Sequence, residues 1–173
     1  KGLPYAFLGN GSNLLVSDRG FEGVIISMEN WNGLHIEGNR LQAGAGVLLP
    51  RLSREALDAS LAGLAFACGI PGTIGGALVM NAGAYGREMK DVVRRVKVMD
   101  RDGRVKTLEA EALGLGYRTS AIPAKGYVVL EAELELAPGD PQAIRDEMES
   151  LSAKRREKQP LEYPSAGSTF KRP

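Results

Sequence analysis

The chain has 173 residues, 43% of them apolar and 25% charged, with a net charge of +1. That length carries one well-packed core or two small domains, and the near-neutral balance gives no support for non-specific nucleic-acid binding, which draws on a basic surplus. A single cysteine, Cys68, rules out an internal disulfide or a cysteine metal cluster, and a single histidine, His35, argues against a histidine-rich metal site or a Ser-His-Asp triad. No apolar run approaches the ~20 residues of a membrane span, and no secretory leader is legible. The reading is a cytoplasmic segment of a longer protein.

Residues 5–8 (Tyr-Ala-Phe-Leu) predict a short strand that empties into Gly-Asn-Gly-Ser-Asn at 9–13. Small polar residues with glycine after a strand can form a nest of N–H groups for phosphate. The loop is not a dinucleotide fingerprint, because Gly9-x-Gly11 is followed by Leu14 where a third glycine is required. Gly44-x-Gly46 fails in the same way at Leu49, and neither loop ends as a P-loop does. Taken alone, the first loop reads as a plain turn. Residues 23–28 predict an apolar strand, and 34–37 with 41–45 a hairpin turning at Gly38-Asn39, with His35 on its solvent face. Apolar residues at 49, 52, 56, 57 and 61 predict an amphipathic helix stopped by Gly63.

The stretch 69–86 holds six glycines in eighteen residues, too many for an ordinary helix, where each interior glycine costs about 1 kcal/mol against alanine. Ala77, Leu78, Val79 and Met80 nevertheless predict burial. Two readings fit: backbone N–H groups offered to a flat or anionic ligand, or a helix packed tightly on a sheet. Beyond it, 92–100 and 105–108 predict strands joined at Asp102-Gly103. Residues 127–136 alternate, with Val128, Leu130, Ala132, Leu134 and Leu136 expected in the core and Glu131, Glu133 and Glu135 on a solvated face. Asp140-Pro141 starts a helix with cap and first-turn proline in favoured places. Its stripe is Ile144, Met148 and Leu151, and Lys154, Arg155, Arg156 and Lys158 complement the dipole in its last turn. Pro160 ends it and Pro164 extends the loop beyond. Strands and helices mix without a βαβ rhythm, so the class is α+β. The expected boundary divides 1–138 from 139–173.

Five motifs in order carry a resemblance: Leu-Gly-Asn-Gly-Ser-Asn-Leu-Leu at 8–15, Gly-Ile-Pro-Gly-Thr-Ile-Gly-Gly-Ala at 69–77, Asn-Ala-Gly-Ala-Tyr-Gly at 81–86, Tyr-Arg-Thr-Ser at 117–120 and Ala-Gly-Ser-Thr-Phe-Lys at 166–171. The chain resembles the UDP-N-acetylenolpyruvoylglucosamine reductase family of flavoenzymes, which serve peptidoglycan synthesis. That family is similar to the vanillyl-alcohol-oxidase type of FAD-binding fold, in which two α+β lobes hold FAD and a third domain holds substrate. The resemblance implies that residues 1–138 are the second FAD lobe and 139–173 the opening of an α+β substrate-binding domain. Asn10 stands where the family often has glycine, and Arg172 where many members have asparagine.

The resemblance further implies non-covalent FAD, NADPH as reductant and a sugar-nucleotide substrate, with hydride delivered to the terminal carbon of its enolpyruvyl group. Gly9, Asn10, Gly11, Ser12 and Asn13 would wrap the FAD pyrophosphate. Gly69, Ile70, Pro71, Gly72, Thr73, Gly75 and Gly76, with Asn81, Ala82 and Gly83, would lie against the flavin and adenosine parts. Arg118 matches the catalytic arginine, a planar cation suited to a carboxylate, and Ser168 the catalytic serine, which would supply a proton to the enolate carbon. Lys158, Tyr117 and Arg172 fall at substrate-binding positions, and the third catalytic group, a glutamate, would lie beyond Pro173. Two other readings fit: another FAD oxidoreductase of the same fold, many of which bond flavin through a histidine absent from these loops, and a non-catalytic nucleotide-binding fragment.

Overall fold

A computed structural model describes residues 2–159 and Tyr163; Ser168, Arg172, Pro160, Pro164 and the 166–171 motif lie outside the described residues. Strands β1 (Tyr5–Leu8) and β2 (Val24–Ser27) pair in parallel, with Tyr5 opposite Val24 and Leu8 opposite Ser27. A separate antiparallel sheet contains β3 (Leu34–Glu37), β4 (Arg40–Gly44), β8 (Val93–Met99), β9 (Val105–Glu109) and β10 (Val128–Glu135), in the spatial order β3-β4-β10-β8-β9. Helices α1 (Leu49–Asp58) and α2 (Ile74–Val79) supply the other side of the core. Leu41, Val96, Val98, Ala132 and Leu134 from the strands meet Leu49, Leu52, Ala56, Ile74 and Leu78 from the helices, all essentially inaccessible to solvent. The class is α+β, as the pattern of elements implied.

Helix α1 stops short of the residue-61 end that its periodicity suggests. Ser60 turns the chain at φ 57°, and Leu61–Ala62 becomes β5, paired with β11 (Ala137–Pro138). Leu61 is buried as its apolar character demands, but by a strand pairing whose partner is far away in sequence. Gly63, at φ 121°, follows that strand instead of ending the helix. Helix α3 (Pro141–Lys158) begins where expected, and the Asp140 carboxylate accepts the Gln142 N–H at 3.2 Å. Of its stripe only Ile144 is fully buried; Met148 and Leu151 are half-buried against the 3-10 turn Ala65–Ala67 and its surroundings.

Strand β10 departs from strict alternation. A register shift between Val129 and Glu131 buries Val129 while leaving Val128 and Leu130 half-buried, the usual effect of an inserted residue in a ladder. The three glutamates are not a solvated face either. Lys97 Nζ lies 3.1 Å from Glu131, Arg95 donates from Nε and Nη2 to Glu133 at 3.0 and 2.7 Å, and Arg94 pairs with Glu135. Glu133 is only 6% exposed. Glu131 and Glu133 stand directly opposite Lys97 and Arg95, and Arg94 reaches Glu135 beyond the register shift at Glu133/Leu134, so the acids form an ion-pair ladder with the basic residues of β8.

Two outcomes follow for stability. Glu133→Gln leaves Arg94 and Arg95 facing a buried neutral amide, and should destabilise by about 1–3 kcal/mol, less than a fully buried pair because both arginines reach water. Glu131→Gln should change stability by less than about 0.5 kcal/mol; urea unfolding of the two variants separates them, and equal effects would remove Glu133 from the core. Hydrogen bonds from Arg94 to Glu135 and from Lys106 to Asp100 hold both carboxyls below the usual range. Each binds its proton more weakly folded than unfolded, so its contribution is complete above the ordinary carboxylate pKa of about 4 and is lost as pH falls through the lower folded value. The melting temperature should therefore fall below about pH 4, and Lys106→Met should flatten that fall.

Candidate functional site: two glycine loops and an arginine turn

The loop at 9–13 leaves β1 and turns at Gly11, whose φ of 69° disfavours any side chain. Among the described residues its one internal backbone hydrogen bond runs from the Leu14 N–H to the Gly11 carbonyl at 3.3 Å, so the N–H groups of Asn10, Gly11, Ser12 and Asn13 have no backbone acceptor. Residues 69–73 lie directly beside it. The Asn10 amide donates to the Pro71 carbonyl at 2.6 Å. A Cβ on Gly9 would collide with the Thr73 hydroxyl, and one on Gly72 would stand 3.7 Å from Ser12 Oγ. Asn10 thus has a function of its own: its amide ties the two loops together, which a glycine there could not do.

The expectation that the glycine-rich helix start offers its N–H groups to a ligand needs a correction. The N–H groups of Ile74 and Gly75 donate to the carbonyls of Val47 and Ala45 at 2.8 and 2.9 Å, and the Leu49 N–H donates to Gly72 at 2.9 Å. A Cβ on Gly75 would fall 2.9 Å from Ala45 Cβ. Tight packing against residues 45–49 therefore holds for the start of α2. Gly75 serves tight packing, while a Cβ on Gly72 or Gly76 would make only ordinary van der Waals contact, at 3.7 and 3.8 Å.

Helix α2 runs from this junction to residues 81–83, and the structure corrects Asn81. Its side chain does not reach out to a ligand: it is 1% exposed and turned inward. Nδ2 donates to Glu88 Oε2 at 3.0 Å and to the Gly116 carbonyl at 3.1 Å, while Oδ1 accepts the Lys90 N–H at 2.9 Å. Ala82 is buried, and Gly83 opens a small hairpin of β6 (Gly83–Ala84) and β7 (Arg87–Glu88) that sequence periodicity did not reveal. A Cβ on Gly83 would strike Glu88, so this glycine serves the hairpin. Lys90 Nζ sits 2.7 Å from Glu88, whose hydrogen bond raises the lysine above its ordinary value.

Tyr117 and Arg118 occupy the tip of a tight turn closed by Gly116 and Thr119, whose N–H and C=O groups bond each other at 3.1 and 3.2 Å. Arg118 takes φ 54° and is exposed, as is Tyr117. The turn follows directly from α2, because Gly116 is bound by Asn81 and the Ser120 hydroxyl donates to the Val79 carbonyl at 2.7 Å. Helix α2, six residues or about 9 Å long, thus separates the glycine loops from the arginine turn. Lys158 ends α3 on an exposed face, and Arg155, one turn before it, lies with Cδ 3.0 Å from where a Gly69 Cβ would be. Tyr85 also reaches α3, donating to Leu151 at 3.2 Å. Sequence reasoning assigned nothing to Ser120, Tyr85 or Glu88. Ser120 and Tyr85 had a signal, lying inside the quoted Tyr-Arg-Thr-Ser and Asn-Ala-Gly-Ala-Tyr-Gly runs.

Grooves of about 370 and 210 Å³ lie elsewhere, against β8–β9 and beside β1–β2 respectively, and neither is lined by the glycine loops. Residues 10–13 are exposed, and Gly9, Gly69 and Gly72 beside them are half-buried. Among the described residues the N–H groups of 10–13 lack a backbone acceptor, a donor set of the kind that suits a phosphate. No set of three or more metal-ligating side chains occurs among the described residues, and no described helix is long and apolar enough to cross a membrane.

Residues 1–109 match the FAD binding domain family, and the chain belongs to it. The relatives it is similar to narrow that class. UDP-N-acetylenolpyruvoylglucosamine reductase of Clostridium perfringens is 52% identical over 171 residues, covering 99% of this chain and 56% of the relative. The enzyme of the same name from Geobacillus kaustophilus is 51% identical over 172 residues, covering 99% and 57%. The crystal structure of UDP-N-acetylenolpyruvylglucosamine reductase from Thermus caldophilus superposes with TM-score 0.85 at 39% identity, covering 99% of this chain and 62% of that one. A carbon monoxide dehydrogenase structure from Hydrogenophaga pseudoflava, at 18% identity and TM-score 0.56 over 77% of this chain and 52% of that one, shares the fold alone. The chain spans a little over half the length of the curated relatives it matches.

The division among the glycines is testable. Gly75→Ala should destabilise by about 1–3 kcal/mol, because the Ala45 backbone beside it cannot move aside freely. Gly72→Ala should stay within about 0.5 kcal/mol, the range of substitutions that meet no obstacle. Thermal melts of the two ligand-free variants make the comparison, and equal losses would overturn the division.

Proposed function

We propose that this chain is the cofactor-holding part of an NADPH-dependent FAD oxidoreductase that reduces UDP-N-acetylglucosamine enolpyruvate to UDP-N-acetylmuramate in the cytoplasm, for peptidoglycan synthesis. The observation that carries the reading is the convergence of the loops at 9–13 and 69–73 through Asn10, with the Arg118 turn held at the far end of α2. It is supported by relatives of that name at about half-identical sequence.

In this reading Gly9, Asn10, Gly11, Ser12 and Asn13 hold the pyrophosphate through backbone N–H groups. Gly69, Ile70, Pro71, Gly72, Thr73 and Gly76 form the wall along the rest of the FAD, and Gly75, Ala82 and Gly83 shape that wall from behind. Bound FAD would carry a hydride from NADPH to the terminal carbon of the enolpyruvyl double bond. The chain's own residues manage the charge that this addition creates next to the substrate carboxylate. Arg118 offers two parallel donors to that carboxylate, and Ser168 gives its hydroxyl proton to the neighbouring carbon. Tyr117, Lys158 and Arg172 contact the sugar nucleotide. Residues 139–173 open the domain that covers the substrate, and α3 is its first element, seated on the 3-10 turn Ala65–Ala67. No histidine lies in the loops, so FAD is held without a covalent bond.

The test uses the full-length flavoprotein and watches the two halves of turnover separately by stopped-flow absorbance. Arg118→Lys keeps charge but loses the planar fork, and Ser168→Ala removes the proton donor. Each should leave bleaching by NADPH within about threefold and slow recovery of the yellow colour by UDP-N-acetylglucosamine enolpyruvate about 100-fold or more, about 2.7 kcal/mol of transition-state stabilisation. Equal slowing of both halves, or of neither, would overturn the assignment of these two residues. Yellow colour that stays with the denatured chain on filtration would overturn dissociable FAD.

A further inference from the structure

Asn81 is the most heavily committed polar side chain beside the site. Its two amide protons and its oxygen are all engaged, to Glu88, to the Gly116 carbonyl and to the Lys90 N–H, at 3.0, 3.1 and 2.9 Å. Two residues earlier, the Val79 carbonyl accepts the Ser120 hydroxyl at 2.7 Å. Gly116 and Ser120 flank the turn that carries Tyr117 and Arg118, so this turn is fastened on both sides to the end of α2. Between those anchors its backbone pairs, among the described residues, only with itself, Gly116 with Thr119. Arg118 occupies left-handed backbone at φ 54°, a conformation that a long side chain keeps only where its surroundings over-determine it.

We infer that Asn81 and Ser120 are positioning residues for Arg118: they fix the backbone of its turn to α2, and through α2 to the loops at 9–13 and 69–73. The inference rests on the proposed function of Arg118 as the partner of the substrate carboxylate. An exposed arginine can find a carboxylate in many geometries, but a reacting carbon placed against a cofactor tolerates displacement of about 1 Å at most before rate falls steeply. Among the described residues no hydrogen bond or ion pair holds the guanidinium, so precision comes from where its backbone is held. Asn81 does this through a carbonyl, the one group of Gly116 that an amide donor can grip. Its own φ of 42° is within the range that asparagine tolerates better than most residues. Glu88 in turn orients the amide, since a carboxylate accepts only from the Nδ2 side and thereby fixes which end of Asn81 faces Gly116.

The test uses the full-length flavoprotein with NADPH and UDP-N-acetylglucosamine enolpyruvate. Asn81→Asp keeps size and backbone tolerance but turns a donor into an acceptor opposite the Gly116 carbonyl and Glu88. Ser120→Ala removes only the bond to Val79. Both should leave bleaching by NADPH within about threefold and slow recovery by substrate, about 10–100-fold for Asn81→Asp and about 3–10-fold for Ser120→Ala, the range expected of displaced supporting groups. In an Arg118→Lys background each should add less than about threefold, because groups that act through one residue are not additive. Amide exchange at Thr119 in the cofactor-free protein should rise about tenfold in either variant. If Arg118→Lys slows recovery but the other two do not, or multiply its effect independently, or leave Thr119 exchange unchanged, the positioning role is overturned while the function of Arg118 stands. If Arg118→Lys has no effect, the underlying reading falls and the inference falls with it. Should Asn81→Asp fail to accumulate folded, Ser120→Ala alone decides by the same three readouts.

Discussion

Residues 72–75 are fastened to residues 45–49 by three backbone hydrogen bonds, and the rest of the site depends on that seam. The bonds from Leu49 to Gly72, Ile74 to Val47 and Gly75 to Ala45 require the two segments to run against each other at backbone distance. A side chain at position 75 would force Ala45 to shift, because Ala45 already fills the space a Cβ would take. The seam lies at the start of both α1 and α2, so it sets where each helix begins and which face each turns to the sheet. One end of α2 is thereby placed beside the loop at 9–13, and the other delivers Asn81 to the arginine turn.

Polar side chains repeat this logic at smaller scale. Asn10 joins loop to loop, Ser120 and Asn81 join turn to helix, and Tyr85 joins hairpin to α3. Each side chain donates to a backbone carbonyl of another segment, a partner that persists whatever side chain that residue carries. That arrangement holds irregular backbone in place where no continuous ladder can form, which is the situation of most ligand-binding loops.

The elements with local signals were legible from the residues. The hairpin at Gly38-Asn39, the strands of the main sheet and the Asp140-Pro141 helix start all depend on neighbours within a few positions. The misread features depend on distant partners. Leu61 leaves the helical pattern because β11 lies beside it, and the glutamates of β10 are paired because basic residues of β8 stand across from them, 34 to 41 positions away. Asn81 shows the same limit within the site. Its place in a glycine-rich motif marks it as important, yet whether its amide points outward or inward is decided by Gly116, 35 positions along. The ordered motifs group the glycine loops with Arg118, whereas which glycines are packed too tightly for a side chain is set by distant neighbours such as Ala45 and Thr73.

The small parallel sheet of β1 and β2 has a thermodynamic consequence. Two strands bury little, and Val24, Ile25 and Ile26 remain substantially exposed, so this unit has a low free energy of local opening compared with the five-stranded sheet. The loop at 9–13 is carried on it. A ligand that grips this loop binds the closed state alone, and saturation at about 100 times its dissociation constant lowers that state by about 2.7 kcal/mol. In the proposed function cofactor and sheet are linked: FAD held at the 9–13 loop stabilises a two-stranded unit that packing alone secures weakly, so resistance to proteolytic nicking around Leu14, Leu15 and Val16 rises with occupancy.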